Sequence, residues 1–256
     1  SVISNNRGRK SKKLWTKAGD GEKIEYYRAS DDREEARYIS GRIEALMRKD
    51  PALTYADFAI LYRTNVQSRR FEEALSGKGI PYQVLSGLRY YDRKEIKDIL
   101  AYMRLVLNPA DDVGLLRILN EPKRGIGEKS QANLRTLAAV RNVSLMSVLL
   151  DADIVDSFPK KTAENLRMFA KTIDDLHIEQ ENMSVAELYD VILVNTGYLS
   201  ALEEQRTIEA DSRIENLMEF KSVILEKERE KAEQNEVLTL STFLEELSLV
   251  SDVDNH

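Results

Sequence analysis

The chain has 256 residues, 42% of them hydrophobic and 32% charged, with no cysteine, two histidines and a net charge of −6. This is the composition of a helix-rich globular protein of one large or two modest domains. It excludes disulfides and thiolate metal sites, leaves no histidine zinc site to His177 and His256 alone, and offers no run near the ~20 apolar residues of a membrane helix. The start is basic with no apolar stretch behind it, so a cytoplasmic location is expected. Residues 1–150 carry 28 Lys+Arg against 19 Asp+Glu, a net of +9, while residues 151–256 carry 10 against 25, a net of −15. A polyanion is attracted to the first stretch and repelled by most of the second, unless the imbalance only serves solvation.

Residues 1–13 hold Arg7, Arg9, Lys10, Lys12 and Lys13 with no acid, as a phosphate-binding arm or a frayed terminus would. Lys23–Ala29 alternates and reads as a strand. Ser30-Asp31-Asp32 then caps a helix whose apolar stripe (Ala36, Ile39, Ile43, Leu46, Met47) runs to about Lys49. Phe58–Tyr62 is a continuous apolar run, typical of a buried parallel strand. A helix over 67–76 and a third strand over Tyr82–Leu85 complete a partial α/β unit whose sheet looks incomplete. From residue 92 the pattern predicts helices only: 92–107, 111–120, 128–140, 144–150, 160–179, 184–195, 197–203, 208–230 and 239–249. Ser144, Ser184 and Asp211 are candidate caps, and the charged run Leu225–Glu236 reads as a solvated face or a linker. The fold class is therefore mostly α: residues 1–91 a partial α/β unit, residues 92–256 an all-helical domain, with a hinge near Gly87–Asp92.

No Gly-x-x-x-x-Gly-Lys-Ser/Thr phosphate loop is present, and no Rossmann fingerprint. The pairs Asp31-Asp32 and Asp111-Asp112 sit at helix starts, where capping accounts for them. No catalytic residue and no metal ligand is assigned.

Three segments carry other chemistry. Tyr62-Arg63-Thr64-Asn65-Val66-Gln67-Ser68-Arg69 runs from a strand into a helix, at the edge where α/β folds bind ligands. Arg63 and Arg69 suit phosphates, and Thr64, Asn65 and Gln67 suit sugar, phosphate or base edges; the alternative is a strand exit with a helix cap. Pro122-Lys123-Arg124-Gly125-Ile126-Gly127-Glu128-Lys129-Ser130 places two glycines before a helix start. Glycine lets the backbone approach a phosphate, and the helix directs N–H groups to the same place. This resembles the hairpin of the helix-hairpin-helix class, or is an ordinary interhelical turn. Gly87–Asp98 mixes aromatic and cationic residues at the join, to stack on nucleic acid or to pack the junction through Tyr90 and Tyr91.

The Tyr62–Arg69 segment also resembles motif IV of the UvrD/PcrA type of superfamily 1 DNA helicase, nearest its Gram-positive PcrA branch. Lys13-Leu14-Trp15-Thr16, Ile80-Pro81-Tyr82, Asp92–Tyr102, Pro122–Gly127 and Arg206–Leu217 are similar to that family in the same order. The resemblance implies that residues 1–91 are part of a RecA-like subdomain, 2A, and residues 92–256 the helical subdomain 2B. It also implies that the chain is a fragment of a 3′–5′ ATP-dependent DNA helicase and translocase of repair and replication. The Walker motifs and motifs V and VI fall outside it, so Mg-ATP belongs to the parent protein and not to this fragment, which is expected to be inactive. By the same resemblance Arg63 and Asn65 meet single-stranded DNA, and Lys123, Gly125, Gly127 and Ser130 hold duplex DNA; the chemistry of the two segments adds Thr64 and Arg69 to the first set and Arg124 and Lys129 to the second. Glu128 and Lys129 depart from the family, whose members carry small residues there. The other readings are a stand-alone, non-enzymatic duplex-binding module and a protein-interaction platform whose acidic helices dock basic partners.

Overall fold

The computed structural model describes residues 21–64, 67–85 and 88–253. Twelve α-helices are formed among them: α1 Asp32–Lys49, α2 Ser68–Ser76, α3 Lys94–Leu107, α4 Asp112–Ile118, α5 Glu128–Arg141, α6 Leu145–Leu150, α7 Ala152–Val155, α8 Lys160–Glu179, α9 Val185–Asn195, α10 Tyr198–Glu203, α11 Ile208–Glu233 and α12 Leu240–Val253. Local chemistry explains most of the starts. Asp31, Asp111 and Ser144 accept a hydrogen bond from a first-turn N–H, and Ser184 forms a full capping box with Glu187. Asp211 is not a cap: Thr207 takes that role, which puts Asp211 in the first turn of α11, where a negative charge suits the helix dipole. The short helix α7 was not anticipated; Asp151 caps it through the N–H groups of Asp153 and Ile154.

No strand is formed among the described residues, which corrects the expectation of strands at 23–29, 58–62 and 82–85. The segments nevertheless have the two-faced burial of strands. Phe58, Ile60 and Tyr82 turn inward onto a small core of Ile43, Leu75 and Ile80 between α1 and α2. Tyr27 stacks on Tyr38 of α1 with ring centroids 3.7 Å apart. Residues of the opposite parity stand bare: Ile24 is 99% exposed, Leu61 94% and Leu85 77%. Each segment thus has the two faces of a strand, but a parallel strand forms only when its backbone groups find neighbours, and these segments do not pair with one another.

The main core lies beyond residue 90 and is built around α3, which touches α4, α8, α9, α11 and α12. Ile96, Ile99, Tyr102, Met103, Leu105 and Val106 of α3 are wholly enclosed. Helix α11 serves two sides. Leu217, Phe220 and Ile224 enter the main core, while Glu219, Glu226 and Glu230 form a stripe toward α1 and α2. That stripe overlaps the charged run expected to be solvated. Glu226 instead pairs with Arg33 and, at 3.0 Å, with Arg70.

Candidate nucleic-acid interface

The glycine turn between α4 and α5 is held from beneath. Ile126 is a plug, fully enclosed in the main core. Asn120 Oδ1 accepts from the N–H groups of Arg124 and Ile126 at 2.8 and 3.1 Å, and Asn165 of α8 donates to the Arg124 carbonyl at 2.6 Å. Gly125 sits in the left-handed region at φ +71, which favours glycine. Gly127 does not: it is extended (φ −76, ψ 171), and a Cβ placed on it meets nothing within 4 Å. The space before Gly127 is therefore open. Helix α5 starts there without a side-chain cap, so its first N–H groups face that space. Lys123, Gly125, Glu128 and Lys129 are exposed and Ser130 is half-buried.

Arg124 is placed differently from the expectation of a phosphate contact. Its guanidinium turns inward, donating to the carbonyls of Ile118 (3.0 Å) and Thr196 (3.0 Å) and to the Tyr102 hydroxyl (2.7 Å), and it lies over the Phe169 ring. The Tyr102 hydroxyl in turn donates to the Glu121 carbonyl at 2.6 Å. Burial pushes that phenol up to about 12, the nearby Arg124 opposing it, so it stays protonated as a donor. Arg124 and Tyr102 shape the loop rather than reach out of it. Sequence reasoning also missed Lys161 and Asn165, which line one cavity with Lys123 and Gly125. The missed signal is Lys160-Lys161 in the first turn of the uncapped helix α8, where cations oppose the helix dipole and call for another reason.

The second candidate segment divides. Arg63 and Thr64 are exposed, and their N–H groups both donate to Gln67 Oε1, at 2.9 and 3.1 Å. Gln67, not Thr64, closes this loop. Asn65 lies outside the described residues. Arg69 is 1% exposed and donates to Glu219 (2.8 Å through Nε) and Glu73 (2.6 Å). Burial works against its charge, yet these two carboxylates hold it protonated well above its ordinary range. Arg69 is therefore a structural residue in this arrangement and has no donor turned to solvent for a phosphate. Tyr90 and Tyr91 likewise pack the junction: both phenols are pushed up by burial, and Tyr90 donates to the Asn216 carbonyl at 2.9 Å.

Among the described residues no group of acids and histidines is arranged to hold a metal ion, and no helix is long and apolar enough to cross a membrane. The fold and the loop thus define a mostly helical module that presents a glycine turn, a helix start and exposed lysines on one side. The chain belongs to the UvrD-like helicase C-terminal domain family, whose profile matches residues 1–256. It is similar to the ATP-dependent DNA helicase PcrA of Staphylococcus epidermidis, at 42% identity over 253 residues, which is 99% of this chain and 34% of that protein. It is also similar to PcrA of Staphylococcus aureus, at 43% identity over the same shares. The chain spans about a third of the length of these curated relatives.

Proposed function

We propose that this chain is the DNA-gripping part of an ATP-dependent 3′–5′ DNA helicase that serves repair and replication in the cytoplasm. Family membership and the named relatives support a helicase origin. In this reading residues 1–91 belong to a RecA-like subdomain and residues 92–256 to a helical one carrying a helix-hairpin-helix-like grip. The bare parity of Ile24, Leu61 and Leu85 supports the first assignment, since a RecA-like sheet is covered on both faces. Mg-ATP is bound and hydrolysed by other parts of the parent protein. This chain alone hydrolyses none, because no phosphate loop occurs in its sequence. Arg63, Thr64 and Asn65 contact the single strand. Lys123, Gly125, Gly127, Lys129 and Ser130 hold the duplex, helped by Lys161. The acidic helices offer a surface for basic protein partners.

One observation carries the duplex assignment: the open space before Gly127, faced by an uncapped helix start and flanked by exposed lysines. That is what a phosphate needs, namely free N–H donors, positive charge and no Cβ in the way. The grip reads no bases, so it is expected in the nonspecific range of about 10⁻⁴–10⁻⁶ M and to be strongly salt-dependent. Titrating a fluorescent duplex against Lys123→Ala at several salt concentrations tests it. Affinity should fall for every sequence alike and the log–log slope should flatten by about 0.9 per lost contact. An unchanged slope and affinity in the folded variant would make the loop a mere turn.

A further inference from the structure

Helix α3 is enclosed almost all round, and among its described residues the exposed positions are Lys94, Lys97 and Arg104. The helix's solvent-facing stripe is thus purely cationic, in a chain of net charge −6. Lys97 and Arg104 stand over a surface cavity of about 450 Å³ beside α4 and α12, and Arg117 of α4 joins them from the other wall. The floor between these cations is apolar: Leu100 and Ala101 of α3, Leu247 of α12 and, at the rim, Val113, which is 82% exposed. Lys97 is paired with Asp92 at 2.7 Å and Arg117 with the buried Asp98 at 2.9 Å. Arg104 has no ion pair or side-chain hydrogen bond among the described residues, although its place in the last turn of α3 suits the helix dipole.

We infer that this groove is a docking site for an acidic peptide segment of a partner protein, one that carries an apolar side chain between its carboxylates. The carboxylates meet Arg104 and Lys97, and the apolar side chain covers Val113 and the Leu100–Ala101 floor. Charge complementarity selects the sign of the partner, and the floor selects its class. A nucleic-acid backbone fits less well for two reasons. Its charges come about every 1.7 Å of duplex axis, so it cannot avoid Asp92 and Asp111, which also line the groove. It also leaves the apolar floor uncovered, whereas a peptide can space its carboxylates and bury an anchor there. This site is separate from the glycine turn: none of the residues lining the cavity at Lys123 and Gly125 lines this one.

The test uses phage-displayed random dodecapeptides selected on the whole chain. A selected peptide is then labelled and titrated by fluorescence anisotropy against the chain and against Arg104→Glu and Val113→Lys. Both substitutions are at exposed side chains, and circular dichroism verifies the fold. The expected result is a pool rich in Asp and Glu around Leu or Phe, with affinity falling on the order of tenfold for Arg104→Glu, as for reversal of a charge-assisted contact. Val113→Lys weakens binding as well, and added salt weakens the parent complex. Three results would overturn the inference: a pool with no acidic bias, binding indifferent to both substitutions, or no selected peptide while DNA binding drops in Arg104→Glu. The last would transfer the groove to nucleic acid.

Discussion

The two glycines of the turn separate folding from binding. At Gly125 (φ +71) an alanine is strained, because a left-handed backbone brings Cβ against the following carbonyl at about 1–2 kcal/mol. In a chain of this size that lowers the melting temperature by roughly 2–8 °C. At Gly127 the backbone is extended and a Cβ meets nothing, so the folded state tolerates alanine. A small loss of capping preference is offset by about 0.4–1 kcal/mol from the less flexible unfolded chain. Gly127→Ala should therefore melt within a few degrees of the parent. On the proposed duplex grip, its new methyl nevertheless occupies the space through which a phosphate would approach the α5 N–H groups. Displacing one phosphate contact flattens the log–log salt slope by about 0.9, and each 1.4 kcal/mol lost weakens binding about tenfold. Differential scanning calorimetry and duplex titration of Gly125→Ala, Gly127→Ala and Gly127→Val supply both readouts. The reasoning is refuted if Gly127→Val binds duplex DNA with the affinity and slope of the parent, since no backbone approach at that position then matters.

Arg124→Ala should differ from Lys123→Ala by lowering the melting temperature together with duplex affinity. The Arg124 guanidinium holds the carbonyls of Ile118 and Thr196, and unmaking such bonds at a part-buried site costs about 1–3 kcal/mol; calorimetry beside the titration distinguishes the two variants. The start of α1 should be acid-sensitive. The Ser30 hydroxyl, the Tyr27 hydroxyl and the Ser30 N–H all donate to Glu34 and lower its carboxyl from 4.5 to about 2. A carboxyl lowered by folding stabilises the folded state above its unfolded value, and that contribution disappears as pH falls from about 4.5 through about 2. Following the Ser30 amide by NMR should give a midpoint near the lower value, and a midpoint at the ordinary glutamate value would contradict the hydrogen-bonded cluster.

The helices were legible because their signals are local. Ser184 and Glu187 stand three residues apart, and the apolar stripe of α1 repeats within one helix, so neighbouring residues suffice to locate both. The segments at 58–62 and 82–85 were legible in their apolar character but not in their pairing, since a strand is defined by backbone partners that the sequence of the segment does not contain. The same distinction governs the candidate site. Gly125, Gly127 and Lys123 lie within one loop, and their exposure and backbone geometry follow from the local turn. Arg69 and Arg63 look alike in one motif, yet Arg69 is committed to Glu219, 150 positions away. Arg124 sits among basic loop residues, yet its partners are carbonyls brought by α9 and the end of α4. Long-range partners decided whether an arginine faces solvent or the core, and those partners are visible only in the fold.

The junction near residues 88–93 argues against a free hinge and for a graded one. Its inner part is dry: Arg93 donates to Asn216 Oδ1 at 2.7 Å, Asn216 donates to Glu95 at 2.6 Å, and Tyr90, Arg93, Glu95 and Asn216 are all buried. Its outer part is graded: the Arg33–Glu230 pair is exposed, while Arg70 and Glu226 are mostly enclosed. Salt screens the exposed Arg33–Glu230 pair, worth about 0.2–1 kcal/mol, and leaves the inner ones intact. Residues before and after 91 can therefore loosen at the rim while Arg93, which is held by Asn216 and donates to Ser68 of α2 at 2.8 Å, keeps them in register, and a full rotation must break that inner set. Asn216→Ala removes bonds to two charged groups, each worth about 1.5–3 kcal/mol. It should speed limited proteolysis between residues 88 and 93 at any salt concentration. Arg33→Ala should do so only weakly, and at high salt not at all. Equal cleavage of the two variants would show that the buried asparagine does not govern the joint.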